Sequence, residues 1–169
     1  VPLGALTVPE NVYDVLVEAS GRHGVFAHGF TYSGHPLACA VALKTIEIYE
    51  RIKIVEHVRR VAPVFQMRLR ALGEHPLVGE ARGIGLIGGL ELVKDKRAKQ
   101  SFEPKLGVGA RAARFAEEEG LLCRAVGGDT IGICPPLVID GAEINALFDL
   151  LGRALDKTET WARKEGFLP

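Results

Sequence analysis

The stretch LVGEARGIGLIGGLELV, residues 77–93, decides the fold of this chain. Inside it, Gly83-Ile84-Gly85-Leu86-Ile87-Gly88 matches the G-x-G-x-x-G spacing of dinucleotide-binding turns. Glu103, about twenty residues on, even occupies the place of the ribose-binding acid. A true fingerprint of that kind opens a helix, whose N-terminus holds the pyrophosphate. Here the glycines run instead into Gly-Leu-Glu-Leu-Val and then a charged loop containing Pro104. The stretch therefore reads as two strands with a bend, and its glycines as residues that permit close packing.

Outward from there, the C-terminal pattern continues with a polar loop and a helix at about 107–119, stopped by Gly120. Leu121–Val126 and Thr130–Ile139 read as strands joined by a Gly-Gly-Asp turn. Asp140 and Glu143 form a capping box. The helix behind them carries Ile144, Leu147, Phe148, Leu151 and Leu155 at helical spacing. From residue 75 onward the order is β-β-α-β-β-α, a compact α+β layer. Before it, residues 54–72 present the stripe Val55, Val58, Ala62, Phe65, Leu69 and Leu72, with Pro63 predicting a kink or break and Gly73 a stop. Pro36 starts another helix. Its apolar face is Leu37, Val41, Ile46 and Tyr49. At the N-terminus, Pro2–Val8 reads as a short strand, Thr7 with Glu10 as a capping box, and about 9–20 as a helix. The predicted domains are 1–50, the end of one unit; 51–74, connecting helices; and 75–169, a small α+β domain.

Composition limits the function classes. The chain has 169 residues, 47% of them hydrophobic, with 21 Lys+Arg against 21 Asp+Glu. Zero net charge gives no general attraction to nucleic acid or an anionic membrane surface. No apolar run reaches the roughly 18 residues of a membrane span, and no secretory signal precedes the first helix. Cys39, Cys123 and Cys134 lie in apolar surroundings without a Cys-x-x-Cys pair. They read as small buried hydrophobes in a reducing compartment, with cytoplasm as the default. The initial Val1 points to a piece of something longer.

Two places offer chemistry. HGFTYSGHP, residues 28–36, combines the Thr31, Tyr32 and Ser33 hydroxyls with glycine-rich backbone just before a helix start. That set suits an anion such as phosphate, although a plain polar turn fits equally well. His23, His28 and His35 lie close by, but their spacing fits no helical ligand pair and no acid interleaves, so no metal site is expected. Arg124 stands alone in Leu-Leu-Cys-Arg-Ala-Val-Gly-Gly-Asp. It is either a surface charge or a fork aimed at a carboxylate.

Four segments together resemble the class III, or ω-amino acid:pyruvate type, aminotransferases. They are VPLGALTV at 1–8, HGFTYSGHPLA at 28–38, ARGIGLIGGLELV at 81–93 and LLCRAVGGDTIGICPPLVID at 121–140. The resemblance covers nearly the whole chain. It implies an α/β protein of the pyridoxal-phosphate-dependent fold type I: the end of the large domain plus the α+β C-terminal small domain. It implies pyridoxal 5'-phosphate as cofactor, with Thr31 and the backbone around Phe30 at its phosphate. Arg124 matches the arginine that receives the substrate carboxylate. Arg82-Gly83 and Pro135-Pro136 match positions with structural roles.

The family's Schiff-base lysine precedes the Pro-Leu-Gly-Ala segment, so it is expected upstream of Val1, and Lys44 and Lys53 do not match it. No catalytic residue is therefore assigned within the chain, and the chain alone is not expected to be active. The implied reaction moves an amino group from an ω-amino acid or amine to a keto acid such as pyruvate. The implied assembly is a homodimer whose 28–36 loop reaches the neighbouring active site. The alternative is a noncatalytic, truncated dimerisation or interaction module.

Overall fold

A computed structural model describes residues 1–168 and divides the chain into two compact units, Val1–Ile52 and Lys53–Pro169. In the first, residues 1–9 have no regular structure and are exposed. The expected strand is absent: a lone extended segment needs a neighbour to accept its backbone hydrogen bonds, and this unit contains no other strand. The expected Thr7–Glu10 capping box is absent too. Pro9 is itself the extended cap of α1, Glu10–His23, and no side chain caps that helix. A residue before proline is pushed out of the helical region, so Val8 cannot open the helix that Thr7 would cap. α1 also runs past residue 20 and ends where Gly24, at φ 91°, donates its N–H to the Ser20 carbonyl.

α2, Pro36–Arg51, begins at its proline as expected. The face of α2 carrying Leu37, Ile46 and Tyr49 is exposed, and Ala38 is the one buried residue on α1 and α2.

The second unit starts at Lys53, whose left-handed φ of 51° separates α2 from α3, Ile54–Leu72. Helix α3, expected as a connector, packs on the sheet of this unit. It runs unbroken through Pro63. Pro63 is exposed, so its missing N–H falls on the solvent side. Phe65 and Leu69 form the buried stripe, while Val55 lies outside it.

β1, Val78–Ile84, and β2, Ile87–Leu92, form a hairpin about Gly85, where φ is 58°. The G-x-G-x-x-G motif is thus a β-hairpin, as the sequence reading requires. α4, Val108–Glu118, follows a single 3-10 turn at Pro104–Leu106. β3, Arg124–Val126, and β4, Thr130–Ile133, flank the Gly127–Asp129 turn. α5, Gly141–Lys164, closes the unit and carries the predicted capping box: Asp140 accepts from the Glu143 N–H, and Glu143 accepts from the Asp140 N–H.

The sheet order is β1-β2-β4-β3, with every neighbouring pair antiparallel. All three helices lie toward one face. α3 packs on β1 and β2, α4 on β3 and β4, and α5 against both helices. Strand alternation explains the core. Leu90, Leu92, Ile131 and Ile133 point inward to meet Phe65, Leu69, Ile144, Phe148 and Leu151. Phe65 and Phe148 meet edge to face at 5.1 Å. The other sheet face keeps Arg82, Ile84, Ile87, Arg124 and Val126 exposed or half-exposed.

Candidate functional site

The two candidate places fall in different units. In the first unit, residues 31–34 form the turn that leads into α2. Ser33 holds it: its N–H donates to the Phe30 carbonyl at 2.9 Å, and its Oγ accepts the Phe30 N–H at 3.0 Å. The His35 N–H closes onto the Tyr32 carbonyl at 3.2 Å. Among the described residues, the Thr31 hydroxyl and the N–H groups of Thr31, Tyr32 and Gly34 have no partner, and all of these residues are exposed. Gly34, at φ 68°, bends the chain so that the turn delivers Pro36 as the first residue of α2. The first-turn N–H groups of Leu37 and Ala38 are also unspent. A hydroxyl and several backbone donors beside a helix N-terminus suit a phosphate dianion. Phe30 is exposed, with its ring edge-on to His28 at 5.9 Å. Phe26, His28 and Phe30 are successive ring neighbours.

In the second unit, Arg124 opens β3 on the exposed sheet face. It borders a cavity of about 500 Å³ lined by Ile87, Leu122, Val126, Gly132 and Cys134 among others. Among the described residues Arg124 has no ion pair and no hydrogen bond. Neighbouring cations are engaged: Arg82 pairs with Glu80 at 3.0 Å and with Glu91 at 3.1 Å. Among the described residues, no carboxylate lines the Arg124 cavity. A cation with five donors and an apolar surround is equipped to take a carboxylate from a ligand.

The strand carrying Arg124 is anchored by a contact with no local signal in the sequence. Asp129, in the β3–β4 turn, accepts the Gly109 N–H in the first turn of α4 at 2.7 Å. The apolar lining from Ile87 and Leu122 is not read from the sequence: alternation along β2 signals Ile87, and no strand pattern signals Leu122. Cys134 corrects the reading of three buried thiols, because it is exposed at the end of β4, whereas Cys39 and Cys123 are half-buried. Burial pushes the Cys123 thiol pKa up. Among the described residues, no helix is long and apolar enough to cross a membrane.

Comparison with known proteins bears on both places. The family model described as aminotransferase class-III matches residues 1–155. Gamma aminobutyrate transaminase 1, mitochondrial, of Solanum lycopersicum is 45% identical over 158 residues, covering 94% of this chain and 30% of the relative. The putrescine–pyruvate aminotransferase of Pseudomonas aeruginosa is 46% identical over 159 residues, covering 94% of this chain and 34% of the relative. The solved ω-transferase of Vibrio fluvialis JS17 aligns with a TM-score of 0.81 at 40% identity, over 91% of this chain and 36% of that one. A PMP-bound aminotransferase from Vibrio fluvialis aligns with a TM-score of 0.79 at 41% identity, over 89% of this chain and 33% of that one. The chain spans about a third of the length of these relatives. With its family model matched from the first residue to within α5, the chain belongs to the class III aminotransferases.

Proposed function

We propose that this chain is the C-terminal part of an aminotransferase that passes an amino group from an ω-amino acid or amine to a keto acid such as pyruvate. The observation that carries the reading is Arg124, an unpartnered guanidinium bordering an apolar-walled cavity in a chain of this family. Its planar fork matches both oxygens of a carboxylate, which a lysine ammonium would not. It binds and orients the acid group common to keto acids and amino acids.

The fitting cofactor is pyridoxal phosphate. The unspent donors around Thr31 fit its phosphate, and the family includes a PMP-bound member. Thr31 Oγ1 would donate to a phosphate oxygen of the cofactor, and the unspent Tyr32 and Gly34 N–H groups would share its charge. Phe30 lends its backbone to the same turn. When bound, the cofactor supplies an electron sink for the amine carbon. The lysine that handles the proton in that chemistry lies outside this chain in our reading. The exposed loop at 28–36 reaches a second copy of the enzyme in a homodimer. Supporting this, Phe26, Phe30 and Tyr32 are all left to solvent within their unit. Free thiols at Cys39, Cys123 and Cys134 favour a reducing compartment, and cytoplasm is the proposed location.

The test is Arg124→Ala in the full-length enzyme. The expected result is a rise of about a hundredfold in KM for carboxylate substrates, with only a few-fold change for amines lacking a carboxylate. Equal effects on both classes would remove the carboxylate-binding role.

A further inference from the structure

We propose that Gly132, with Gly89 beside it, sets the size limit for the carbon chain of a substrate whose carboxylate Arg124 holds; this rests on the carboxylate role given to Arg124 above. The argument starts from register. Arg82 pairs with Gly89, Gly89 with Gly132, and Gly132 with Arg124. These four residues form one row across all four strands. The neighbouring row holds Leu90 and Ile131, both buried toward the helices. Alternation therefore puts the Arg82–Arg124 row on the outer face. The row joins two arginines across two residues without side chains. Directly opposed positions place their Cβ atoms about 4.5–5.5 Å apart, so the space above Gly132 is the space nearest the base of Arg124.

Backbone conformation demands neither glycine. Neither has a positive φ. A Cβ on Gly132 would meet Val126 Cγ2 at 3.3 Å, with the Arg124 carbonyl and Val126 Cγ1 next at 3.8 Å. A Cβ on Gly89 would meet only Thr130 Cγ2 at 3.4 Å. Gly88, on the inner face, differs: there a Cβ would lie 2.9 Å from Leu69 Cδ2 and 3.2 Å from Phe65 Cε1. An outer strand position ordinarily favours β-branched or aromatic residues, and glycine weakens the strand. What the missing side chain at 132 supplies is room, because Gly132 lines the cavity. Ile87 and Leu122 on one side and Val126 on the other give that room apolar walls. A substrate held at its carboxylate can lay an apolar chain on this floor.

The test uses Gly132→Ala and Gly132→Val in the full-length holoenzyme, with linear 2-keto acids from three to six carbons as acceptors. The expected result is a preference for the three-carbon over the six-carbon acceptor that rises about tenfold in Gly132→Ala and further in Gly132→Val, read as the ratio of kcat/KM values and carried by KM. Gly89→Ala, one strand further from Arg124, gives a smaller rise. An equal loss at every chain length, or an unchanged ratio, overturns the proposal. Arg124→Ala separates it from the reading beneath it, since that variant weakens every carboxylate acceptor whatever its length. If Arg124→Ala is selective for carboxylates and the Gly132 ratio stays flat, the size limit alone fails. If Arg124→Ala spares carboxylates, both fail. Should Gly132→Val melt below the assay temperature, Gly132→Ala carries the test, since its Cβ meets one side-chain atom at close range, Val126 Cγ2 at 3.3 Å.

Discussion

Asp129 and Gly109 show how a single residue can tie a strand turn to a helix. The Asp129 carboxylate caps α4 from a distant turn, where a negative charge also meets the positive end of the helix. The approach is close enough that a Cβ on Gly109 would lie 2.8 Å from Asp129 Cα and 3.1 Å from the Gly128 carbonyl. Those are backbone atoms and cannot swing aside. Gly109→Ala is therefore expected to cost about 1–3 kcal/mol of stability by overpacking, measured by denaturant unfolding. It should also raise KM for carboxylate substrates, because the β3–β4 turn carries the strand of Arg124. A loss of stability under about 0.5 kcal/mol would show that the turn yields at no cost. The sequence reveals the Gly-Gly-Asp turn through its residue types, but not its partner. Likewise the isolation of Arg124 in sequence left a surface charge and a fork equally open, and only its unpartnered place beside a cavity favours the fork.

At the scale of elements, local signals succeed where the chain supplies both halves of an interaction. The Asp140–Glu143 box forms because each side chain finds the other's backbone within one turn. Thr7–Glu10 has the same spacing and fails, because Pro9 sits between them, itself extended, and disfavours a helical residue before it. Pro63 leaves α3 helical because packing of Phe65 and Leu69 on the sheet outweighs one missing hydrogen bond.

Contacts between elements are less visible in sequence. Glu119, at the end of α4, accepts from Arg153 Nε at 2.6 Å and pairs with Lys157 Nζ at 2.5 Å, both on α5. The hydrogen bonds from Arg153 and then Lys157 hold its carboxyl below the ordinary range, against a smaller opposing effect of burial. A depressed acid stabilises the fold above its unfolded pKa, and the benefit disappears as pH falls through the folded value. Stability should therefore decline on acidification below the ordinary glutamate range. Glu119→Gln should flatten part of that decline in a series of melting curves from neutral to acidic pH. An identical acid limb in both proteins would mean that this clamp contributes nothing.

Taken whole, the chain is uneven. The unit beginning at Lys53 has a continuous core beneath its sheet, whereas the first unit buries little besides Ala38. Residues 53–169 alone are expected to unfold cooperatively with a sigmoidal thermal transition, and residues 1–52 alone to show none. A cooperative transition in the N-terminal piece would contradict that division. Periodicity made the second unit readable because its apolar faces meet inside the chain. The same periodicity in α2 marks a face that remains exposed, so pattern alone could not say what covers it. One feature of the second unit also equips it for measurement. Cys134 is an open thiol bordering the Arg124 cavity, while Cys123 is half-buried and disfavoured as thiolate. A mild alkylating reagent should tag Cys134 before Cys123, and a bound carboxylate should slow that tagging. The cavity thus contains its own occupancy gauge, readable by mass spectrometry while the enzyme stands idle.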